Sequence, residues 1–286
     1  MTKIILIGDG PLFNHCVKKI FSKYKKILLI TSNKNKKFLE LNKKLFIDFK
    51  YLEKIKEIKF LISIMNGKII NKSILDKTEI AINFHDGPLP KYGGLFSSTW
   101  AILNNEKKHG CCWHLMTKKI DTGNILSFKN FNIDKSDTAY SVDLKSLYFG
   151  YKIFEKKILK IIRTNKVSFS IKNSKLKSYY GKKDIANIPN HGLLDLKKDL
   201  SKSLLIFRAL KVSNEKKNNI FQPKISTTQG IKKVKSFIQT KCNNSKSIQS
   251  LNKKIRIKNN SFSFRVANKC YEIELERQYD KFIYLR

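Results

Sequence analysis

The sequence predicts an α/β fold: a Rossmann-like, mostly parallel sheet with helices on both faces, followed by a small C-terminal β domain of OB type. Three observations carry this expectation. Apolar runs such as KIILIG, KILLIT and FLISIM are continuous rather than alternating, the mark of strands buried on both faces. Helical stretches separate them, which is the order a parallel sheet requires. Beyond about residue 200 the texture changes to short β-like runs broken by Asn-Asn and Ala-Asn-Lys turns, as in KKIRIKNNSFSFRVANKCYEIELE.

The first strand is expected over Ile4–Ile7 and ends at Gly8-Asp9-Gly10. A helix follows with Leu12, Cys16, Ile20 and Phe21 on one side, then a second strand in KILLIT. Gly8 and Gly10 suggest a dinucleotide fingerprint, but Phe13 takes the place of the third glycine, so a tight turn is the better reading. KFLISIM and EIAINF supply further strands, and HGCCWHLM and NILSFKNF two more, joined through TKKIDTG. Asp137 is placed to cap a long helix from about Thr138 to Ile162, with Val142, Leu147, Phe154 and Ile158 as its core contacts. The expected division is a catalytic domain over 1–200 and a β-rich domain over 201–286, without internal repeats or low-complexity linkers.

Composition narrows the function classes. Hydrophobic residues make up 41% of the 286, which suits a globular fold and argues against disorder. The apolar runs are too short to span a bilayer, and the start lacks a secretory pattern, so a cytoplasmic protein with no membrane partner is expected. Five cysteines, an odd count in a chain of this length, argue against a disulfide framework. Cys111 and Cys112 are neighbours and should face opposite sides of a strand. No zinc spacing occurs, so no metal is expected. The net charge of +37 raises the question of a nucleic-acid partner. Only six of the 59 basic residues are arginine, the preferred fork for phosphates and bases, and the lysines are spread along the chain, so the charge reads first as composition.

The chemistry concentrates in AINFHDGPLPKYGG, Ala81 to Gly94. On a strand, Asn83 and His85 project together while Ile82 and Phe84 take the other face. Ligands of open parallel sheets gather beyond the carboxyl ends of the strands. An amide and an imidazole there suit an oxyanion and a proton, although a loop-holding Asn and a core His fit the pair equally well. The loop after them tips the balance: Gly87, Pro88 and Pro90 fix an irregular path, and Tyr92, Gly93 and Gly94 permit close approach. Asp121, in the Asp-Thr-Gly turn of MTKKIDTGNIL, is by itself an ordinary Asx turn, but it is positioned to return toward His85. On the strand before it, Cys112, His114 and Met116 share one face, and Trp113 shares the other with Cys111 and Leu115.

These residues resemble the 10-formyltetrahydrofolate-dependent formyltransferases, whose members act on methionyl-tRNA, amino sugars, glycinamide ribonucleotide or aminoacyl groups on peptide-synthetase carriers. The family's Asn-x-His, Pro-rich loop and distant Asp-x-Gly look like Asn83-Phe84-His85, GPLP and Asp121-Thr122-Gly123. IGDGPLFNHC and HDGPLPKYGGLFSSTWAILNNEKKHGCCWHLMTKKIDTGNIL look like the carrier-type members, and HGLLDLKKDLSKSLLIFRAL looks like the approach to the family's C-terminal domain.

The resemblance implies a catalytic triad of Asn83, His85 and Asp121. It implies a cofactor loop of Gly87, Pro88, Leu89 and Pro90, with 10-formyltetrahydrofolate as formyl donor and no metal. Asn83 and His85 would donate to the formyl oxygen, and His85 or a water held by Asp121 would take the amine's proton. The acceptor is expected to be a small or carrier-bound primary amine, such as an amino sugar or an aminoacyl group. Members acting on tRNA carry Ser-Leu-Leu-Pro and then an aromatic, Arg, Gly. Here Gly87 and Pro88 replace Ser-Leu and Gly93 stands at the Arg, which weakens tRNA as partner and methionyl-tRNA formyltransferase as the alternative. A non-catalytic RNA-binding protein with an OB-type domain is the alternative of another class.

Overall fold

The computed structural model describes residues 4–172, 175, 177–211, 222–228, 230–242, 249–250, 255–257, 260–276 and 283–284. The chain divides into two compact units. One comprises Met1–Ser98, Lys107–Ile133 and Val142–Tyr180, the other Thr99–Glu106, Asp134–Ser141 and Gly181–Arg286.

The first unit opens β1 (Ile4–Gly8), α1 (Gly10–Lys23), β2 (Ile27–Ile30), α2 (Asn33–Leu39), α3 (Tyr51–Lys54), β3 (Ile58–Ile64), α4 (Lys72–Asp76) and β4 (Thr78–His85). After β5 (Gly93–Gly94) and α5 (Ser97–Leu103), which passes into the second unit at Thr99, come β6 (Lys108–Leu115), β7 (Ile125–Asn132), α6 (Ala139–Ile153), which belongs to the first unit from Val142 on, α7 (Leu159–Thr164) and β8 (Tyr179–Tyr180). The main sheet has the order β2-β1-β3-β4-β6-β7. β1 pairs in parallel with β2 and β3, and β3 with β4; β6 and β7 are antiparallel additions. The predicted mostly parallel sheet is therefore present.

Its two faces bury separate clusters. Leu6, Phe13, Ile20, Ile62, Ile82, Phe84, Trp113 and Phe154 form the larger. Ile5, Ile7, Leu52, Leu61 and Ile74 form the other. β1, β2 and β3 are apolar along almost their whole length because neither face meets water, whereas β7, at the sheet's edge, is largely exposed. At the end of β1, a Cβ on Gly8 would lie 1.7 Å from the carbonyl oxygen of Ile64, so the chain needs glycine to turn there. Phe13 fills the core at the position of a third fingerprint glycine, in keeping with a tight turn.

The predicted long helix is α6, one π turn over Phe154–Ile158, and α7 in succession. Val142, Phe154 and Ile158 are buried, as the periodicity required. The cap differs from expectation. The Thr138 hydroxyl accepts from the Ser141 N–H, while Asp137 accepts from the Asp134 N–H and the Ser141 hydroxyl. Thr138 is adjacent to the first turn, whereas Asp137 closes the preceding one.

In the second unit, Asp199 caps α8 (Leu200–Leu210) by accepting from the Lys202 N–H. The strands are β9 (Lys224–Thr227), β10 (Gly230–Thr240), β11 (Gln249–Ser250), β12 (Arg256–Ile257), β13 (Ser261–Val266), β14 (Lys269–Leu275) and β15 (Ile283–Tyr284). Five of them form a sheet of order β11-β13-β14-β10-β9, antiparallel except for β11 with β13, while β12 pairs β15 separately. Phe262, Phe264, Tyr271 and Ile273 are buried at alternate positions. This is the expected C-terminal β unit. The Ala267-Asn268 turn joins β13 to β14; Asn259, in the Asn-Asn turn, lies outside the described residues.

One expectation about the cysteines is corrected. Cys242 and Cys270 form a disulfide: Thr240, the last residue of β10, pairs with Cys270 of β14, and Cys242 follows two residues later, within reach of it. Cys111 and Cys112 take opposite faces as expected, the first in the larger cluster and the second beside Leu89 and Ile125.

Candidate active site

β4 delivers Asn83 and His85 to its carboxyl end, and the antiparallel register brings β6 alongside: Asn83 lies opposite His114 and His85 opposite Cys112. Ile82 and Phe84 turn to the core, so the four facing residues share the other side. The β6–β7 connection then returns Asp121 to the same place. Its turn needs Gly123, where a Cβ would lie 1.7 Å from the carbonyl oxygen of Leu115. Asp121 itself takes the left-handed conformation, φ 57°, which an Asp tolerates better than most residues.

The three sequence-predicted residues converge, and a fourth joins them. His85 Nδ1 is 3.7 Å from Asp121 Oδ2, and His114 Nε2 is 3.6 Å from Asp121 Oδ1. Asn83 Nδ2 is 3.1 Å from His114 Nε2. His85, His114 and Asp121 are all buried.

Carbonyl partners settle the tautomers of the neutral rings. His114 Nδ1 is 2.8 Å from the Leu115 carbonyl, so Nδ1 carries the hydrogen and Nε2 accepts from the Asn83 amide. His85 Nε2 is 2.8 Å from the Tyr92 carbonyl, so Nε2 donates and Nδ1 is the nitrogen that faces Asp121. Burial pushes His114 down to about 4, helped by the adjacent His85 and opposed by Asp121 and the Leu115 carbonyl. At neutral pH it is an uncharged acceptor that fixes one hydrogen of the Asn83 amide and leaves the other to be donated.

The loop Gly87–Pro90 is held from both sides. A Cβ on Gly87 would lie 2.8 Å from His85 Nε2 and 2.8 Å from the Tyr92 carbonyl oxygen, so only glycine lets the loop pass the imidazole. The Leu89 side chain is buried beside Cys112 and Ile125 and anchors the loop rather than facing outward. β8 straps the far end. The Tyr92 N–H donates to the Ser178 hydroxyl, the Lys177 N–H to the Pro90 carbonyl, and the Leu95 N–H to the Tyr180 carbonyl. The rings of Tyr92 and Tyr180 stack. The Gly94 N–H donates to Asp121 Oδ2 at 2.8 Å, tying this loop to the carboxylate.

The site has an amide donor, an imidazole whose Nδ1 faces a carboxylate, and a neutral second imidazole. It suits charge development on a carbonyl oxygen together with removal of one proton. A cysteine nucleophile does not suit it: burial pushes the Cys111 thiol up to about 12 and the Cys112 thiol well above its ordinary range. Among the described residues no group of three or more His, Cys, Asp or Glu could hold a metal, and no helix is long and apolar enough to cross a membrane. His114 and the Tyr92 carbonyl were not among the predicted site residues. The shared face of Cys112 and His114 was the available signal, but the β4–β6 register is set by long-range pairing.

Comparison with known proteins followed from this geometry. Residues 48–158 match the family described as formyl transferase. The bifunctional polymyxin resistance protein ArnA of Wigglesworthia glossinidia brevipalpis is 33% identical over 161 residues, 56% of this chain and 24% of that protein. The methionyl-tRNA formyltransferase of Clostridium novyi is 40% identical over 92 residues, 31% of this chain and 30% of that one. The chain thus spans less than a third of the length of either relative. Among solved structures, WlaRD, a sugar 3N-formyl transferase in the presence of dTDP and 5-N-formyl-THF, superimposes with a TM-score of 0.71 at 23% identity, over 98% of this chain and 99% of that one. The N-formyltransferase of Helicobacter canadensis, in complex with folinic acid and dTDP-3-aminofucose, gives 0.69 at 22% identity, over 96% and 100%. At these identities the likeness shows the fold.

Proposed function

We propose that this chain, whose residues 48–158 match the formyl transferase family, is an N-formyltransferase that moves the formyl group of 10-formyltetrahydrofolate to a primary amine. The observation that carries the proposal is the convergence of Asn83, His85, His114 and Asp121 beyond the end of β4, beside the Gly87–Pro90 loop.

In this reading His114 orients the Asn83 amide, whose second hydrogen donates to the formyl oxygen as negative charge grows there. Such a donor accounts for roughly 10²–10³ in rate. Nε2 of His85 is occupied by the Tyr92 carbonyl, so Nδ1 takes the proton of the attacking amine as the new C–N bond forms and gives it to N10 of the folate as the bond from N10 to the formyl carbon breaks. The imidazolium formed in between faces Asp121, which stabilises it. Acid–base help of this kind contributes roughly 10²–10⁴. Gly87, Pro88, Leu89 and Pro90 form the edge of the folate site, residues 1–200 the catalytic domain and 201–286 an appended β domain.

The proposed acceptor is the amine of a small or carrier-bound substrate, with a nucleotide-linked amino sugar placed ahead of methionyl-tRNA. Support comes from Gly93, which stands where tRNA-acting members of the resembled family carry Arg and pairs with Tyr179 through its backbone. The near-complete overlay on sugar N-formyltransferase folds supports it too. The proposed compartment is the cytoplasm, where the Cys242–Cys270 bond would be reduced. Thermal shift with a folate analogue, NAD and bulk tRNA tests the reading, because a ligand of the folded state raises Tm by mass action. A rise with the folate analogue is expected; a rise with tRNA or NAD alone would overturn it.

A further inference from the structure

Behind the site, on β6 and outside the set of groups that face Asp121, lies a second buried histidine. His109 is 1% exposed. Its Nε2 is 2.9 Å from the backbone carbonyl of Asp86, the residue that follows His85. A carbonyl only accepts, so Nε2 carries the hydrogen. The same carbonyl receives the Ser97 hydroxyl at 2.9 Å and the Ser146 hydroxyl at 3.4 Å. Three donors from β6, α5 and α6 therefore converge on one backbone oxygen at the point where β4 becomes the Gly87–Pro90 loop. Ser97 and Ser146 are themselves fully buried.

His109 also reaches the other anchor of His85. The Tyr92 ring packs edge-on against the His109 ring at 6.1 Å between centroids, and it is the Tyr92 carbonyl that holds His85 Nε2. The Phe131 ring makes a second edge contact with His109, at 5.9 Å between centroids. The imidazole of His109 thus donates to the carbonyl of the residue after His85 and packs on the ring of Tyr92, whose own carbonyl holds His85 Nε2.

We propose that His109 is a positioning residue for His85: it pins the Asp86 carbonyl and buttresses Tyr92, and so sets the direction of His85 Nδ1. The proposal rests on the reading of His85 as the proton-exchanging group. Positioning of this kind is worth on the order of 10²-fold in rate when a catalytic group shifts by about 1 Å. A histidine that merely filled the core would need no donor at this oxygen and would tolerate an apolar replacement of similar size.

The test uses His109→Leu, which removes the donor, and His109→Gln, which restores one at a similar reach. Two readouts are taken on the full chain. One is the set of ring ¹⁵N chemical shifts of His85 at a single pH without substrate; the other is kcat and KM for formyl transfer. In His109→Leu the His85 signals should move and kcat should fall roughly 10- to 10²-fold with little change in KM for the folate. In His109→Gln both should return toward wild type. If His109→Leu does not fold, Ser97→Ala, which deletes another donor to the same oxygen, should still move the His85 signals. Unmoved His85 signals in a folded His109→Leu or Ser97→Ala variant would overturn the proposal, as would equal loss of kcat in the Leu and Gln variants. The ¹⁵N measurement needs no turnover, so it decides the positioning role even if the wild-type chain transfers no formyl group.

Discussion

The side-chain amide of Asn83 donates to Nε2 of His114 across 3.1 Å, from one strand to the next, and the Leu115 carbonyl fixes the His114 tautomer that makes this possible. A neutral, buried imidazole thereby determines which way an amide points. Asn83→Ala should lower kcat by roughly 10²–10³ with little effect on KM for the folate, the loss of one donor to a developing oxyanion. His114→Phe should produce the same kind of loss, smaller in size, because the amide remains but is no longer oriented. Steady-state kinetics on the two variants checks both.

His85→Ala and Asp121→Ala should fold, judged by circular dichroism, and lose roughly 10²–10⁴ in kcat. Near-normal turnover in both would remove them from the mechanism.

His114 gives the fold a pH dependence of predictable sign. Its folded-state pKa lies near 4, below the ordinary 6.5, so the unfolded chain takes up a proton first. The stability contributed by the neutral ring is present above about pH 6.5 and is lost as pH falls toward 4. His114→Asn, which does not titrate, should flatten that part of the stability profile. Urea midpoints measured between those pH values supply the comparison.

Asp143 acts in the opposite direction. Burial, then the nearby Asp86 carboxylate, holds its carboxyl well above the ordinary range against a hydrogen bond from Ser98. The Asp143 Oδ1 atom is buried and accepts no hydrogen bond. Below the unfolded-state value of about 3.9 both states are protonated and no stability is lost. As pH rises above it the unfolded chain ionises first, and the folded state loses ground until it ionises too. Asp143→Asn, neutral and nearly isosteric, should therefore raise Tm at pH 7.5 and change it little at pH 3.5. No gain at the higher pH would contradict a protonated Asp143.

Gly94 binds Asp121 through its N–H and has φ 92°, and a Cβ there would lie 2.2 Å from the Tyr180 carbonyl oxygen. Gly94→Ala should cost about 1–3 kcal/mol in stability by forcing the two backbones apart. It should also reduce formyl transfer by releasing the carboxylate. Chemical denaturation and turnover, measured together, test the coupling.

The strands, the long helix and the C-terminal β unit were legible because each rests on local pattern: the continuous apolar runs of β1 and β3, the helical spacing of Val142, Phe154 and Ile158, the alternation of Phe262 and Phe264. Asn83 and His85 were legible because a two-residue spacing on a strand fixes a shared face. The placement of His114 against Asn83 was not, since it depends on the register between β4 and β6. The strap from Ser178 to Tyr92 joins residues 86 positions apart, and local sequence carries no trace of it. The Cys242–Cys270 bond was missed for the same reason: counting cysteines says nothing about a long-range β10–β14 pairing that brings the segment after Thr240 to Cys270.

Formyl transfer by these side chains is tested by incubation with 10-formyltetrahydrofolate and a panel of amines (nucleotide-linked amino sugars, aminoacyl carriers and methionyl-tRNA), followed by mass spectrometry. The same panel is run with a variant replacing Asn83, His85 and Asp121 together by alanine. One acceptor should gain a single formyl group with wild type and none should with the triple variant, even though that variant still binds a folate analogue. Formylation by the triple variant at the wild-type rate, or no formylated acceptor from wild type, would contradict formyl transfer by these side chains.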